Sequence, residues 1–175
     1  MIGLTERMPI PSELLALARS LSAGSDGSRP NDAELRRAVS TAYYALFHKV
    51  ARTAADRFMG PGQQNSAGFS ILYRGFQHRD IRTVCEALQV STLKPKYQNS
   101  LRRTSVSQDM RDFASAFPAL QEARHLADYD PAARLFPSDV SSLVDAAEVA
   151  MDAFDRAAVD EKTDVLALMM VGARG

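Results

Sequence analysis

The sequence predicts an all-α protein, an antiparallel bundle of about five helices. Three features carry that expectation. Apolar residues recur at three- and four-residue spacing through most of the chain, the period that lines up one face of a helix. No segment alternates apolar and polar residues as a half-buried strand does, and no hairpin turn separates apolar runs. Short breaks of glycine, proline and serine divide the periodic stretches, which suits helices packed beside their sequence neighbours.

Taken in order, residues 1–11 form an irregular arm. Ser12 caps a first helix over ELLALARSLSA, whose stripe is Leu14, Leu17, Ala18 and Leu21. Gly24 to Ser28 make a flexible turn. Asn31, with Glu34 three residues on, has the spacing of a capping box and opens a long second helix to Phe58. Gly60-Pro61-Gly62 ends that helix. A third helix is expected over Ser70–Leu88, weakened at Gly75. Ser91–Arg103 is irregular, with Pro95 as a breaker. A fourth helix starts near Ser105 or Ser107 and reaches Tyr129, with Pro118 as a kink or a restart and Asp130-Pro131 as its stop. Ser138 caps the last helix, Asp139 favours its first turn, and it continues to about Met170 or breaks near Asp160. The organisation is thus an arm over 1–11, a bundle over 12–160, and a helix extension or tail over 161–175.

With 175 residues, 46% hydrophobic and 24% charged, the chain suits one globular domain with a real core. Lysine and arginine equal aspartate and glutamate at 21 each, so no global field attracts nucleic acid. The charge is nevertheless segregated. Arg74 to Arg103 hold seven basic residues against two acidic, a local +5, and Asp139 to Asp164 hold eight acidic against two basic, a local −6. These are either two solvated faces, or a phosphate-binding surface and its opposite, or a polar dimer that pairs them. The single cysteine, Cys85, excludes an internal disulfide and a cysteine-rich zinc site, and its place in a helical stripe predicts a core thiol. Three histidines on three segments, without ligand spacing, point to no metal site, and nothing calls for a cofactor. The N-terminus lacks the apolar core of a signal peptide, and Val165–Val171 is too short to span a bilayer. A cytoplasmic, reduced protein without membrane contact is expected.

The second helix organises the rest. Leu35, Val39, Ala42, Leu46 and Val50 share one side, and Arg37, Ser40, Tyr44 and His48 recur at the same spacing on the opposite side. A helix decorated on both sides belongs at the centre of a bundle. On the fourth helix Arg124 and Asp128 are four residues apart and share a face. Asp128, in the last turn, lies against the negative end of the helix dipole and needs compensation, which Arg124, Arg36 or Arg37 can supply. The expected constellation is Arg37, Ser40, Tyr44, His48, Arg124, Asp128 and Tyr129, joining the second helix to the fourth. It is either a register-fixing network or a cationic, hydroxyl-rich notch for a phosphate or nucleotide. His48 titrates near neutrality and is a candidate general base, with Arg124 the other catalytic candidate. His78 is expected at the surface or boundary, and Tyr43, on the core side, needs a partner for its hydroxyl.

ELRRAVSTAYYALFH resembles the signature helix of the HEPN superfamily, the all-helical domains named for nucleotide binding in higher eukaryotes and prokaryotes, and EARHLADYDP resembles that family's second motif. The resemblance covers roughly residues 10–160. It implies an RNA- or nucleotide-binding module in a bacterial defence or toxin–antitoxin-like system, a homodimer, and a nucleotidyltransferase or antitoxin-type partner. It also implies, for active members, a metal-independent ribonuclease with histidine four to six residues after an arginine. Here Arg124 is followed at once by His125, and that later position holds Tyr129. A noncatalytic binding module is therefore expected, with a ribonuclease toxin and a structural dimerisation module as alternatives.

Overall fold

The computed structural model describes residues 10–24 and 28–172. Among them run eight helices and no strand: α1 (Pro11–Ala23), α2 (Asp32–Met59), α3 (Ala67–Gly75), α4 (His78–Leu88), α5 (Pro95–Leu101), α6 (Gln108–Tyr129), α7 (Pro137–Arg156) and α8 (Val159–Val171). The all-α class stands, and the count of about five gives way to eight for local reasons. The expected third helix is two, because Phe76 and Gln77 adopt extended backbone between α3 and α4. That break turns Phe76 into the core, where it is buried. The last helix divides close to the alternative break near Asp160, at Ala157 and Ala158, both extended, with Ala157 buried. Pro95 starts α5 rather than breaking a loop: it stands at the first helical position, where its missing N–H has no intrahelical partner to lose.

The same proline effect moves two caps. Pro11 and Pro137 take the first helical positions, so Ile10 and Phe136 stand at the N-caps and neither Ser12 nor Ser138 does. At α2 the capping box forms as expected: Asn31 Oδ1 accepts from the Glu34 N–H at 3.0 Å, and Glu34 accepts from the Asn31 N–H at 2.9 Å. Ser107 caps α6 by accepting from the Met110 N–H at 3.2 Å. The arm expected over 1–11 falls mainly, and the turn after Gly24 partly, outside the described residues, although Pro11 itself opens α1 and is buried.

α6 passes through Pro118 without restarting. A proline in a helix leaves the carbonyl four residues earlier without a donor. That carbonyl is Ala114's, and Gln89, just past α4, donates to it from Nε2 at 3.1 Å. The substitute donor lets one helix carry both Phe113 and Phe117 into the core and Arg124 to the far end.

α2 is the centre. Its buried residues lie around most of its circumference, from Leu35 and Ala38 to Ala54 and Ala55. Ascending α2 from Ser40 to Tyr44, the polar partners on α6 descend from Asp128 to Arg124, so these two helices are antiparallel. α6 and α7 are antiparallel as well, with Phe113 against Phe154 and Asp109 bound to Arg156. α2 and α7 run the same way: Leu35 and Val39 share a cluster with Val140, and higher up Lys49 pairs with Asp155 at 2.7 Å. The bundle is thus antiparallel only between some neighbours. Val165, Leu166 and Met169 of α8 are fully buried in the main core. No helix of the described residues is long and apolar enough to cross a membrane.

The segregated charges meet in part within the chain. Arg103, from the basic stretch, lies 2.7 Å from Asp164 and 3.4 Å from Glu161. Glu161 is 4% exposed, and its carboxylate is satisfied by the Ser107 N–H at 2.8 Å and hydroxyl at 2.5 Å. A buried carboxylate persists only with such donors around it. Cys85 is fully buried, and burial pushes its thiol well above the ordinary value.

Gln89→Ala removes the donor that stands in for Pro118 and strands a buried carbonyl. The expected cost is about 1–3 kcal/mol, read as a fall in Tm of several degrees with native circular dichroism retained below the transition. An unchanged Tm would show that α6 tolerates Pro118 without Gln89.

Candidate functional site

The polar centre forms where α2 crosses the end of α6, and its anchor is Arg36. Nη1 donates to the carbonyls of Ala127 and Asp130, both at 2.9 Å, and Nη2 to that of Ala133 at 2.8 Å. Nε pairs with Asp32 one turn back at 2.7 Å. The last carbonyls of a helix have no intrahelical donor and carry the negative end of the dipole, so a guanidinium suits them on both counts. Arg36 is absent from the expected constellation, which used Arg37 instead. Arg37 points elsewhere: it is exposed and pairs with no acid among the described residues. Adjacent helical positions are about 100° apart, so only one of two neighbouring arginines can face α6.

The other members largely come together. Arg124 Nε lies 2.7 Å from Asp128 Oδ2 as an ion pair, without hydrogen-bond alignment. Nη2 donates to the Tyr44 hydroxyl at 3.0 Å. The guanidinium carbon stands 5.4 Å from the Tyr44 ring, 5.5 Å from Tyr129 and 5.9 Å from Tyr43, so three tyrosines surround one cation. Ser40, buried, donates to Asp128 Oδ2 at 3.4 Å. Asp128 is therefore compensated from both helices. His125 turns outward and packs its ring 5.0 Å from Tyr129.

Behind Tyr44 lies a group that periodicity did not reveal. Nδ1 of His48 is 2.5 Å from the hydroxyl of Tyr73 on α3, and the two rings stack at 5.7 Å with 11° between planes. Nδ1 of His78 is 2.6 Å from the hydroxyl of Tyr43, and the His78 ring stacks on Phe47 at 4.0 Å. Tyr43 thus has the partner its burial requires, and His78 is not a free surface residue. The Tyr44 ring is 6.0 Å from His48 and 6.1 Å from His78. Burial lowers the pKa of both imidazoles; His48 is lowered further by His78, and His78 by Arg124. Burial also raises Tyr43 well above its usual range and pushes Tyr73 up to about 12, so both hydroxyls stay protonated.

Two cavities flank the Tyr44–Arg124 contact. Between α1 and α2, about 310 Å³ is lined by Arg37, Ser40, Tyr44 and His48, with Leu14 and Leu17 opposite. Between α4 and α6, about 490 Å³ is lined by Arg82, Gln121 and Arg124 among others. A further cavity of about 600 Å³ between α1, α2 and α7 is lined in part by ions already engaged: Arg19 with Asp145 and Glu148, and Lys49 with Asp155. The α1–α2 cavity differs in holding a cation without a counter-ion and donors without a carboxylate among its lining residues. Its chemistry suits an anion. Among the described residues, no group of three histidine, cysteine or acidic side chains is placed to hold a metal. Comparison with family models, curated proteins and solved structures finds no match to the chain.

Two outcomes follow. Arg36→Ala removes three hydrogen bonds to carbonyls in and just beyond the last turn of α6 and should cost on the order of 3 kcal/mol, whereas Arg37→Ala should change stability by less than about 0.5 kcal/mol; equal Tm values for the two would contradict the division between them. The histidines also make stability fall with acid. Folded, both titrate below about 6.5; unfolded, they titrate at that value, so the unfolded chain gains protons first. Their stabilising effect is full above the unfolded pKa and is lost as pH falls through the folded one. Tm should drop between pH 7.5 and 5, and a His48→Gln/His78→Gln protein should show a shallower drop over the same range.

Proposed function

We propose that the chain is a HEPN-like module that binds the phosphate of an RNA or a nucleotide in the α1–α2 cavity, without cutting it. The observation that carries this reading is Arg37. It lines a cavity with Ser40, Tyr44 and His48 yet has no acidic partner among the described residues, while its neighbour Arg36 is fully occupied in holding α6. An arginine that stability does not use, beside three further polar side chains, is what phosphate capture requires. Tyrosine rings at the same crossing supply faces on which a base can stack. The resemblance to HEPN is supported by the meeting of its two motif segments, ELRRAVSTAYYALFH and EARHLADYDP, at one crossing.

Binding is favoured over cleavage because Tyr129 stands where the active members' histidine would, and because Arg124 is spent on Tyr44 and Asp128. A metal-independent ribonuclease is the second reading, favoured by His48 and His78 lying in one cluster with Arg124 and titrating low enough to be neutral bases. A homodimer, a nucleotidyltransferase or antitoxin-type partner, and a defence or toxin–antitoxin setting belong to the same proposal and rest on the resemblance alone.

Fluorescence anisotropy with a labelled single-stranded RNA and with AMP tests the binding reading. Wild-type protein should bind with an affinity that falls as salt rises, and Arg37→Ala should weaken binding about tenfold. RNA incubated in EDTA should stay intact. Loss of RNA that disappears in Arg124→Ala would replace the binding reading with the ribonuclease, and failure of the wild type to bind either probe would remove the site.

A further inference from the structure

The pairing of His48 with Tyr73 has a consequence for what the α1–α2 cavity can recognise. A neutral imidazole carries one proton, and the bond made by one nitrogen decides what the other offers. The Tyr73 hydroxyl lies 2.5 Å from His48 Nδ1, in a side chain held stacked against the imidazole. Tyr73 is 8% exposed, and among the described residues its hydroxyl is bonded to His48 alone. If Nδ1 carried the proton and donated to the tyrosine oxygen, the phenol's own proton would be left without an acceptor in a buried place, at a cost of a lost hydrogen bond. If the phenol donates to Nδ1 instead, both groups are satisfied. The proton of His48 then sits on Nε2, the ring's remaining nitrogen. Tyr43 and His78 repeat the arrangement one turn away, with a fully buried phenol, so the local rule is the same.

We propose that Tyr73 is a positioning residue that holds His48 as its Nε2–H tautomer, so that the cavity presents an N–H donor to a phosphoryl oxygen rather than a base to a hydroxyl. The proposal rests on reading this cavity as an anion site and goes beyond it by assigning His48 its role and Tyr73 its part. The N–H faces the same cavity as the Arg37 guanidinium, while the Ser40 hydroxyl on its wall is already donated to Asp128. Such a pair favours a phosphate monoester or diester oxygen over a neutral sugar or a cation, because both groups donate and no carboxylate lines the cavity. It also separates His48 from general-base chemistry: with Nδ1 occupied by the phenol and Nε2 protonated, the neutral ring has no free lone pair for a hydroxyl proton.

The test uses the full-length chain, labelled with nitrogen-15. Long-range proton–nitrogen correlation at pH 7.5 reads the His48 tautomer directly, and titration with inorganic phosphate and separately with AMP reads the site. Wild type should show Nε2–H. Tyr73→Phe keeps the stacked ring and removes the hydroxyl; it should shift His48 to a mixture of tautomers and weaken phosphate binding several-fold. His48→Gln, which can place an amide N–H near the Nε2 position, should retain binding, and His48→Leu should lose about tenfold. If wild type binds phosphate but shows Nδ1–H, or if Tyr73→Phe leaves tautomer and affinity unchanged, the positioning role is overturned and the binding site stands. If neither phosphate nor AMP binds wild type, the site itself falls and the proposal with it. Binding of AMP without inorganic phosphate would assign recognition to the nucleoside and overturn the phosphoryl role of His48.

Discussion

The grip of Arg36 on the end of α6 is the constraint from which the polar half of this protein follows. The Ala127 carbonyl in the last turn of α6 and the Asp130 and Ala133 carbonyls in the turn after it meet α2, and apart from a bond of 3.3 Å from the Ala133 N–H to Asp130 they rely on a donor from outside. One guanidinium bonds all three and keeps its remaining edge on Asp32. Because its five donors lie in a rigid fork, the contact sets both how close α2 and α6 come and where along each other they sit. At that register Ser40 meets Asp128 and Tyr44 meets Arg124, each without further adjustment of the backbone.

Arg36 and Arg37 illustrate how a helix separates structure from chemistry. They are adjacent in sequence and identical in side chain, yet the turn of the helix sends one into the α6 terminus and the other to the lip of a cavity. The same logic divides Tyr43 from Tyr44. Tyr43 is fully buried and locks His78, while Tyr44 is half-buried and bridges Arg124 to the cavity. Across the molecule Glu161 repeats the structural half of the pattern: a buried carboxylate surrounded by Ser107 and Arg103 ties α8 to the start of α6. The basic and acidic stretches of the chain are thus partly spent on each other, which leaves the exposed Arg37 more conspicuous.

Much of the scaffold was legible from local chemistry. The Asn31–Glu34 box, the Ser107 cap, the glycine stop after Met59 and the apolar stripes of α2, α6 and α7 depend on residues a few positions apart, and sequence displays such relations openly; the stripe expected on α1 is displaced, since Leu15 is buried and Leu17 exposed. The errors arose where one residue admits two local answers. Pro95 can break a segment or begin a helix, and Ser12 and Ser138 lost their capping roles to the prolines beside them. The breaks at Phe76 and at Ala157 were foreshadowed only by the weak point at Gly75 and the alternative break near Asp160, because both residues turn out of a helix to enter a core made by distant elements.

For the site, helical spacing was enough to place Arg37, Ser40, Tyr44 and His48 on one side of α2, and Arg124 beside Asp128 on α6, because those relations repeat every three or four residues. Spacing could not choose between Arg36 and Arg37, since either rotation of α2 satisfies the pattern and only the position of α6 breaks the tie. Nor could it find Tyr73 opposite His48, or His78 opposite Tyr43. Those pairs join helices separated by a turn whose geometry depends on where Phe76 is buried. Periodicity describes one cylinder at a time; hydrogen bonds between cylinders are settled by packing, and the tautomer of each imidazole is settled with them.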